Sequence, residues 1–347
     1  MKALVYHGVT DIRFETVPDP TPTDAGGAVV RIERTAICGS DLHIYHGQMN
    51  PEPGYSVGHE CIGEVVETGS RVGRFKVGDR VLVSGVVGCG ECVPCHAGTV
   101  TSCERGFPTV FGTNQGLDGG QAEALAVPRA DHALHAIPDG VSADQAVLLT
   151  DILPTGYLGA RDAHIRPGQD VAIVGMGPVG LMALMSAKLF GPARIFALDS
   201  VPERLAVAET LGAIPCDVSG DVQTQVLEAT GGFGPHAVIE CVGADASIQT
   251  SLALVRRGGF VSVVGVSTNM AFPFPMALAL IKGITFHIGV CSVPEFWPTL
   301  VPLIAEGKLC PETVFTHRMG LSEGADAYAL FDSRRDGVLK VLLDPSR

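Results

Sequence analysis

Four cysteines fall within fifteen residues, Cys89, Cys92, Cys95 and Cys103, spaced C-x2-C-x2-C-x7-C in GCGECVPCHAGTVTSC. Thiolates so spaced can wrap one tetrahedral ion at Zn–S distances of about 2.3 Å, because each short spacer turns the chain back on itself. The Gly and Pro spacers shape a tight, self-contained lobe, which favours zinc over an iron–sulfur cluster. The competing reading is four unrelated buried cysteines. Four sulfurs leave no open position, so the role of such a lobe is structural. His96 follows the third cysteine, but the sulfurs already complete the tetrahedron.

A second set is scattered. The segment ICGSDLH carries Cys38, Ser40, Asp41 and His43, GHE carries His59 and Glu60, and TDILPTGY carries Asp151. Thiolate, imidazole and carboxylate together can hold zinc and leave one position for water or substrate, as catalytic sites do. The competing reading takes them singly: a lone histidine is more often a surface or core histidine, and Cys38 suits simple burial.

A third pattern points to a nucleotide. Gly175, Gly177 and Gly180 form G-x-G-x-x-G, with Met176, Pro178 and Val179 between them, directly after an apolar run. The first glycine permits a tight turn, the second lets a pyrophosphate approach a helix N-terminus, and the third allows close helix–strand packing. Asp199 ends the next strand-like run. A carboxylate there accepts hydrogen bonds from ribose hydroxyls and repels a 2′-phosphate, so NAD is favoured over NADP. The competing reading is a glycine turn in an ordinary α/β domain.

These residues need elements to position them. Met1–Tyr6, Ala28–Ala36, His59–Glu67 and Arg80–Val83 are β-rich and separated by turn-forming stretches such as PDPTPTDAGG, predicting an irregular β domain. From Asp170 apolar strand-like runs (VAIVG, ARIFALD, 237–241, 260–264, 285–289) alternate with helix-like segments (PVGLMALMSAKLFG, 202–211, 246–256), which specifies a parallel sheet covered on both faces. The tail from about residue 292 leaves this rhythm and is expected to pack back on the first domain. The expected division is 1–152 with the lobe at 89–103, then 153–291, then 292–347.

Composition bounds the function. With 37 acidic against 24 basic residues the net charge is −13 and no basic run occurs, which disfavours nucleic acids and anionic membrane surfaces as partners. The longest uncharged apolar stretch, Val171–Ala187, is interrupted by Gly-Met-Gly-Pro and falls short of the roughly 20 residues of a membrane span. The N-terminal MKALVYHGVTDIRFE lacks the apolar core of a signal peptide, so a cytoplasmic protein is expected. Ten cysteines in such a chain suggest metal or catalysis rather than disulfides.

The order and spacing of these motifs resemble the zinc-dependent medium-chain alcohol dehydrogenases over essentially the whole chain. The specific signature is GHECIGEVVETGSRVGRFKVGDRV, followed by the four-cysteine lobe and GMGPVG. The resemblance implies a GroES-like catalytic domain and a Rossmann doubly wound parallel sheet, with the active site in the cleft between them. It implies two Zn2+ per chain: a catalytic ion on Cys38, His59 and Asp151, and a structural ion in the lobe. Glu60 resembles the glutamate that can exchange into the coordination sphere, Ser40 the hydroxyl that takes the alcohol's proton, His43 the outer end of the relay, and Asp41 the carboxylate that orients the ligand histidine. Thr155 matches a nicotinamide-side threonine, while Arg204 and Lys340 match positions reaching the cofactor's ribose and phosphates. By position, Gly85, Phe111 and Val290 line the substrate pocket, Gly85 leaving room for alcohols bulkier than ethanol.

Asp151 stands where the best-known animal and yeast members have cysteine, and so resembles the bacterial secondary-alcohol branch, which is usually tetrameric. That branch often lacks the four cysteines and commonly prefers NADP through Gly-Ser-Arg where this chain reads Leu-Asp-Ser. The implied activity is reversible hydride transfer between a primary or secondary alcohol and NAD, in a homo-oligomer with a tetramer favoured over a dimer. The rival readings are a polyol, amino-alcohol or formaldehyde-type zinc dehydrogenase, a zinc-free quinone reductase, and a non-catalytic member of the fold.

Overall fold

The computed structural model describes residues 1–49, 52–106, 109–114 and 116–347. The chain divides into two compact units, Met1–Pro154 together with Cys291–Arg347, and Thr155–Val290. The first unit is therefore built from both ends of the chain.

Its centre is the pair Ala28–Ala36 and Glu60–Thr68, antiparallel, with Ala36 opposite Glu60. Both segments are rich in valine, isoleucine and threonine, which suit a pleated, largely buried surface. Arg80–Val83 and Leu134–Ala136 extend this sheet on one side. On the other side the C-terminal strand Lys340–Asp344 pairs with the same central strand, Leu342 opposite Ala36, and carries Phe315–Gly320 beyond it. A smaller sheet joins Asp11–Thr16, Lys2–Gly8 and Tyr55–Ser56. Leu4, Tyr6, Ile37 and Tyr55 share an apolar cluster with Tyr328 and Phe331 of the helix Gly324–Ser333. The tail thus contributes both a strand and part of the core to the unit that the N-terminal half begins.

In the second unit six parallel strands run in the order Ile214–Asp217, Arg194–Asp199, Asp170–Val174, Ala237–Glu240, Phe260–Val263, Thr285–Ile288. Counted within the unit this is 3-2-1-4-5-6, the doubly wound order, which reverses direction between the first and fourth strands. The apolar stretch 171–187 is a buried strand, a turn and the helix Pro178–Lys188, whose residues Gly180–Ala187 are all buried. A helix apolar all round belongs in a domain core.

The strand Ile214–Asp217 and helix Val222–Ala229 have no counterpart in the sequence reading. The strand reads IPCD, and only Cys216 is buried. As an edge strand it tolerates Pro215 and needs no apolar run, which removes the signal a central strand leaves.

Candidate active site and zinc lobe

The lobe forms locally. Cys92 caps the short helix Val93–His96, and Cys103 follows the 3-10 turn Val100–Ser102. One sulfur from each of Cys89, Cys92, Cys95 and Cys103 lies within 4.8 Å of the others, and all four are free thiols. Cys89 and Cys95 Sγ are 3.9 Å apart, against about 3.8 Å expected for two thiolates on one tetrahedral zinc. Backbone N–H groups point inward: Glu91 N–H donates to Cys89 Sγ and Cys89 N–H to Cys103 Sγ, both at 3.4 Å. The Glu91 amide, chiefly, lowers the Cys89 thiol to about 6, while burial raises Cys95 to about 12. The donor set fits zinc. His96 instead packs edge-on against His132, ring centroids 5.2 Å apart.

The second cluster is assembled by strand register. Because Ala36 lies opposite Glu60, the residues leaving one strand (Cys38) and entering its partner (His59) emerge side by side. Asp151 arrives from the segment after helix Ala143–Leu148, a helix closed at its start by a Ser142–Gln145 capping box. Asp151 Oδ2 is 3.2 Å from Cys38 Sγ and 3.4 Å from His59 Nε2. Donor atoms about 2.0–2.3 Å from a shared tetrahedral zinc stand at such separations from one another, so this set fits the ion as well.

Ser40 occupies the N-cap of the short helix Asp41–Tyr45 yet makes no capping bond. Its hydroxyl lies 3.2 Å from Cys38 Sγ and 3.1 Å from His59 Nε2. In the absence of a cation the cluster is electrostatically mixed. Burial, then the carboxylates of Asp151 and Glu60, raise the Cys38 thiol to about 11. Burial opposes ionisation of Asp151 too, but His59 outweighs it and holds the carboxyl at about 2. His59 loses charge stability by burial and regains more from Asp41 and Asp151, which lift it well above its ordinary value.

Asp41 is fully buried. Its Oδ1 faces His59 Nδ1 at 3.2 Å, and its Oδ2 accepts from Cys38 N–H at 2.9 Å and from the Gln121 side-chain amide at 3.2 Å. His43 is half-buried, with Nδ1 against Gln48 Oε1 at 2.7 Å, whereas the nearby His46 pairs with Asp332. Glu60 and Lys340 form an ion pair at 2.5 Å, both side chains wholly buried. Burial lowers the Lys340 ammonium's affinity for its proton, but Glu60 more than compensates. Glu60 Oε2 makes no hydrogen bond among the described residues and belongs to the Cys38–His59–Asp151 cluster.

Lys340, which the resemblance places toward the cofactor's ribose and phosphates, has no exposed surface and pairs its ammonium with Glu60. One expectation is corrected. Gly85 does not leave spare room: a Cβ there would sit 3.0 Å from the His59 carbonyl oxygen and 3.3 Å from that of Thr150. The glycine serves close backbone approach beside the cluster. Phe111 is a core residue packed with Leu125, and Val290 is largely exposed.

In the second unit the glycine loop links strand Asp170–Val174 to helix Pro178–Lys188. Gly175 has φ +91°, and a Cβ on Gly180 would lie 1.8 Å from the Gly175 carbonyl oxygen, so neither position accepts a side chain. Gly177 caps the helix, Pro178 occupies its first turn, and Val179 is half-buried beside it. Asp199 accepts hydrogen bonds from Met176 N–H at 2.6 Å and Val201 N–H at 2.9 Å. The Arg204 guanidinium lies 3.9 Å from Asp199. Thr155 is half-buried at the start of the unit. Gln121 and Tyr328, both fully buried, have no counterpart among the sequence expectations, since neither carries a metal-ligating type nor stands in a recognisable motif, and Asp118 and Glu123 near Gln121 make a polar residue there unremarkable.

Residues 24–139 match the alcohol dehydrogenase GroES-like domain, and residues 178–306 the zinc-binding dehydrogenase domain. The chain is 42% identical to a "probable zinc-binding alcohol dehydrogenase" of Mycobacterium tuberculosis over 99% of its own length and 89% of that protein's. It is 33% identical to sorbitol dehydrogenase of Bacillus subtilis, covering 100% of this chain and 98% of that one. The solved structure of alcohol dehydrogenase TADH from Thermus sp. ATN1 superposes with a TM-score of 0.93 at 38% identity, over 99% of both chains.

Proposed function

The chain belongs to the zinc-dependent medium-chain dehydrogenase/reductase family, and from that premise we propose that it is an NAD-dependent alcohol dehydrogenase, interconverting a primary or secondary alcohol with its aldehyde or ketone. The observation that carries the reading is the convergence of Cys38, His59 and Asp151, with the Ser40 hydroxyl turned away from helix capping and onto two of those donors.

In this reading Cys38, His59 and Asp151 hold a catalytic zinc, and Cys89, Cys92, Cys95 and Cys103 a structural one. When bound, zinc supplies a Lewis acid for the substrate oxygen, and NAD accepts the hydride. Ser40 takes the alcohol's proton, and His43, half-open to solvent, passes it outward. The two electrons leave the carbinol carbon with the hydride, so the balance is carbonyl, NADH and one proton. Asp41, with Oδ1 3.2 Å from His59 Nδ1, holds that side of the ring by its charge and leaves Nε2 as a ligand. Lys340 restrains Glu60, the carboxylate that can exchange into the ligand set.

Gly175, Gly177, Pro178, Val179 and Gly180 form the turn and helix N-terminus for the pyrophosphate. Asp199 takes the adenosine ribose hydroxyls, with Arg204 beside it, and Thr155 serves the nicotinamide side. Among polyols, alcohols and formaldehyde-type substrates, a polyol is the second reading, favoured by the likeness to sorbitol dehydrogenase.

The enzyme works as a homo-oligomer in this reading, a tetramer in the cytosol. Ten free cysteines suit a reducing compartment. No helix among the described residues is long and apolar enough to cross a membrane. The parallel sheet ends at Thr285–Ile288, whose outer edge pairs with no described strand, and exposed Met276, Leu280, Ile281 and Ile288 accompany it. A second copy of the same edge, related by a twofold axis, is the complementary occupant. Sedimentation at micromolar concentration measures the assembly, and a monomer there contradicts it.

The deciding experiment combines metal analysis with NADH formation from primary, secondary and polyol substrates, with and without chelator. Two zinc per chain and chelator-sensitive turnover on an alcohol are expected. A two-zinc protein inert toward every alcohol and polyol would sink the reading.

A further inference from the structure

Asp41 is held from behind by a buried chain of hydrogen bonds that reaches the C-terminal helix. Tyr328, on Gly324–Ser333, donates its hydroxyl to Gln121 Oε1 at 2.9 Å. Gln121 Nε2 donates to Asp41 Oδ2 at 3.2 Å and to the Ala36 carbonyl at 3.3 Å. Asp41, Gln121 and Tyr328 all have zero exposure.

The polarity of this chain is forced. Asp41 and the Ala36 carbonyl are acceptors only, so the amide nitrogen must face them, and the amide oxygen is left for the phenol. Burial and the Asp41 carboxylate push the Tyr328 hydroxyl well above its ordinary value, so it keeps its proton and donates. At the far end Asp41 Oδ1 faces His59 Nδ1, and His59 Nε2 faces Asp151. Tyr328 and Gln121 donate toward the Asp41 carboxylate, and Asp41 Oδ1 stands against the Nδ1 side of the imidazole, so Nε2 is the nitrogen that gives up its proton to an ion.

The backbone makes room for this arrangement. Gly58, next to His59, has φ +94°, and a Cβ there would lie 2.4 Å from Gln121 Cγ. Gln121 is clamped by its main chain between Leu4 N–H, at 2.9 Å from its carbonyl, and the Val57 carbonyl, at 3.0 Å from its amide. Tyr328 is wedged by Tyr45, ring centroids 5.6 Å apart, one turn beyond Asp41.

We propose that Gln121 and Tyr328 are positioning residues for the metal centre: they fix Asp41 so that His59 presents Nε2 to the ion, and they couple the C-terminal return of the chain to metal retention. This rests on the reading that Cys38, His59 and Asp151 hold zinc. A glutamine serving only to fill the core would affect folding but would not act selectively on one of two metal sites.

The four-cysteine lobe provides the internal control. Zinc release from the two-zinc holoenzyme into excess chromogenic chelator has one phase per site, and Cys38→Ala identifies the phase of the mixed site by deleting it. Partners behind a ligand histidine typically govern metal affinity by about 10–100-fold, so Asp41→Asn speeds that phase by this factor. Gln121→Leu, one bond further out, speeds it about tenfold, and Tyr328→Phe about two- to threefold, with the lobe phase unchanged. In the Asp41→Asn background Gln121→Leu adds less than about twofold, because the route is shared. In cobalt-substituted protein, Gln121→Leu also shifts the visible bands of the mixed site alone.

If Asp41→Asn accelerates release while Gln121→Leu and Tyr328→Phe match wild type, the proposal fails and the zinc reading stands. Should the wild type carry only lobe zinc, the zinc reading fails and takes the proposal with it. Tyr328→Phe removes one hydroxyl and retains the ring, so it decides the matter alone if Gln121→Leu does not fold.

Discussion

The two clusters of candidate metal ligands in this chain are built in opposite ways. The lobe draws four thiolates from one short segment, partly open to solvent, and uses its own backbone amides to stabilise them. The mixed set draws Cys38, His59 and Asp151 from three separated segments, buries the first two with Asp151 half-buried beside them, and is backed by the buried side chains of Asp41, Gln121, Lys340 and Tyr328. A local site is specified by spacer length. A distributed one is specified by strand register, and it can keep a coordination position open because no single segment has to close around the ion.

The largest effect that would break this contrast is on turnover. Cys38→Ala or Asp151→Asn should lower kcat/KM by about a thousandfold or more, the scale of a lost Lewis-acid centre, while metal analysis still finds the lobe zinc. If turnover survives, the chemistry does not reside in the mixed cluster.

Next comes pH. With the Cys38 thiol raised to about 11, zinc uptake at neutral pH must displace its proton, so affinity at the mixed site should rise about tenfold per pH unit between 7 and 9. His59, lifted well above its ordinary value when no cation is present, can steepen this dependence further. The sign is fixed: protons compete with the ion, so acid weakens binding. Calorimetry in two buffers of different ionisation enthalpy counts the protons released, and a count of zero contradicts the mixed-site assignment.

A smaller effect separates structure from catalysis. Cys103→Ser should empty the lobe and lower Tm by about 5 °C or more, with turnover at low temperature within about threefold of wild type, as expected for a loss of roughly 4 kcal/mol in a protein this size. Smallest of all, His96→Ala should leave lobe zinc content unchanged and shift Tm by no more than about 2 °C, since the ring stacks on His132 rather than on the sulfurs. Loss of one zinc in His96→Ala would make the imidazole a ligand.

Legibility follows the same division. Cys89 to Cys103 and Gly175 to Gly180 were readable because their function is encoded in the spacing along one strand–turn or turn–helix segment. The alternating apolar runs announced the doubly wound sheet for the same reason, except at Ile214–Asp217, where an edge position removed the apolar signal. For Lys340 the resemblance supplies a position near the cofactor, and nothing in the local sequence announces an ion pair for it. Only pairing of Lys340–Asp344 with the central strand turns it onto Glu60. Gly85 was misread as space because a missing side chain says nothing about whether a ligand or another backbone takes its place.

By itself, then, the sequence determined the residue types of the two candidate clusters, the glycine turn and the alternation that builds the parallel sheet, all of which depend on residue type and short spacing. Tertiary structure alone decided which side chains stand behind the ligands. Asp41, Gln121 and Tyr328 are up to 287 positions apart and meet only after the C-terminal helix has packed against Leu4 and Tyr6. Such contacts arise from burial and register over long separations, where a hydrogen bond is strong because water is absent and no local pattern records it.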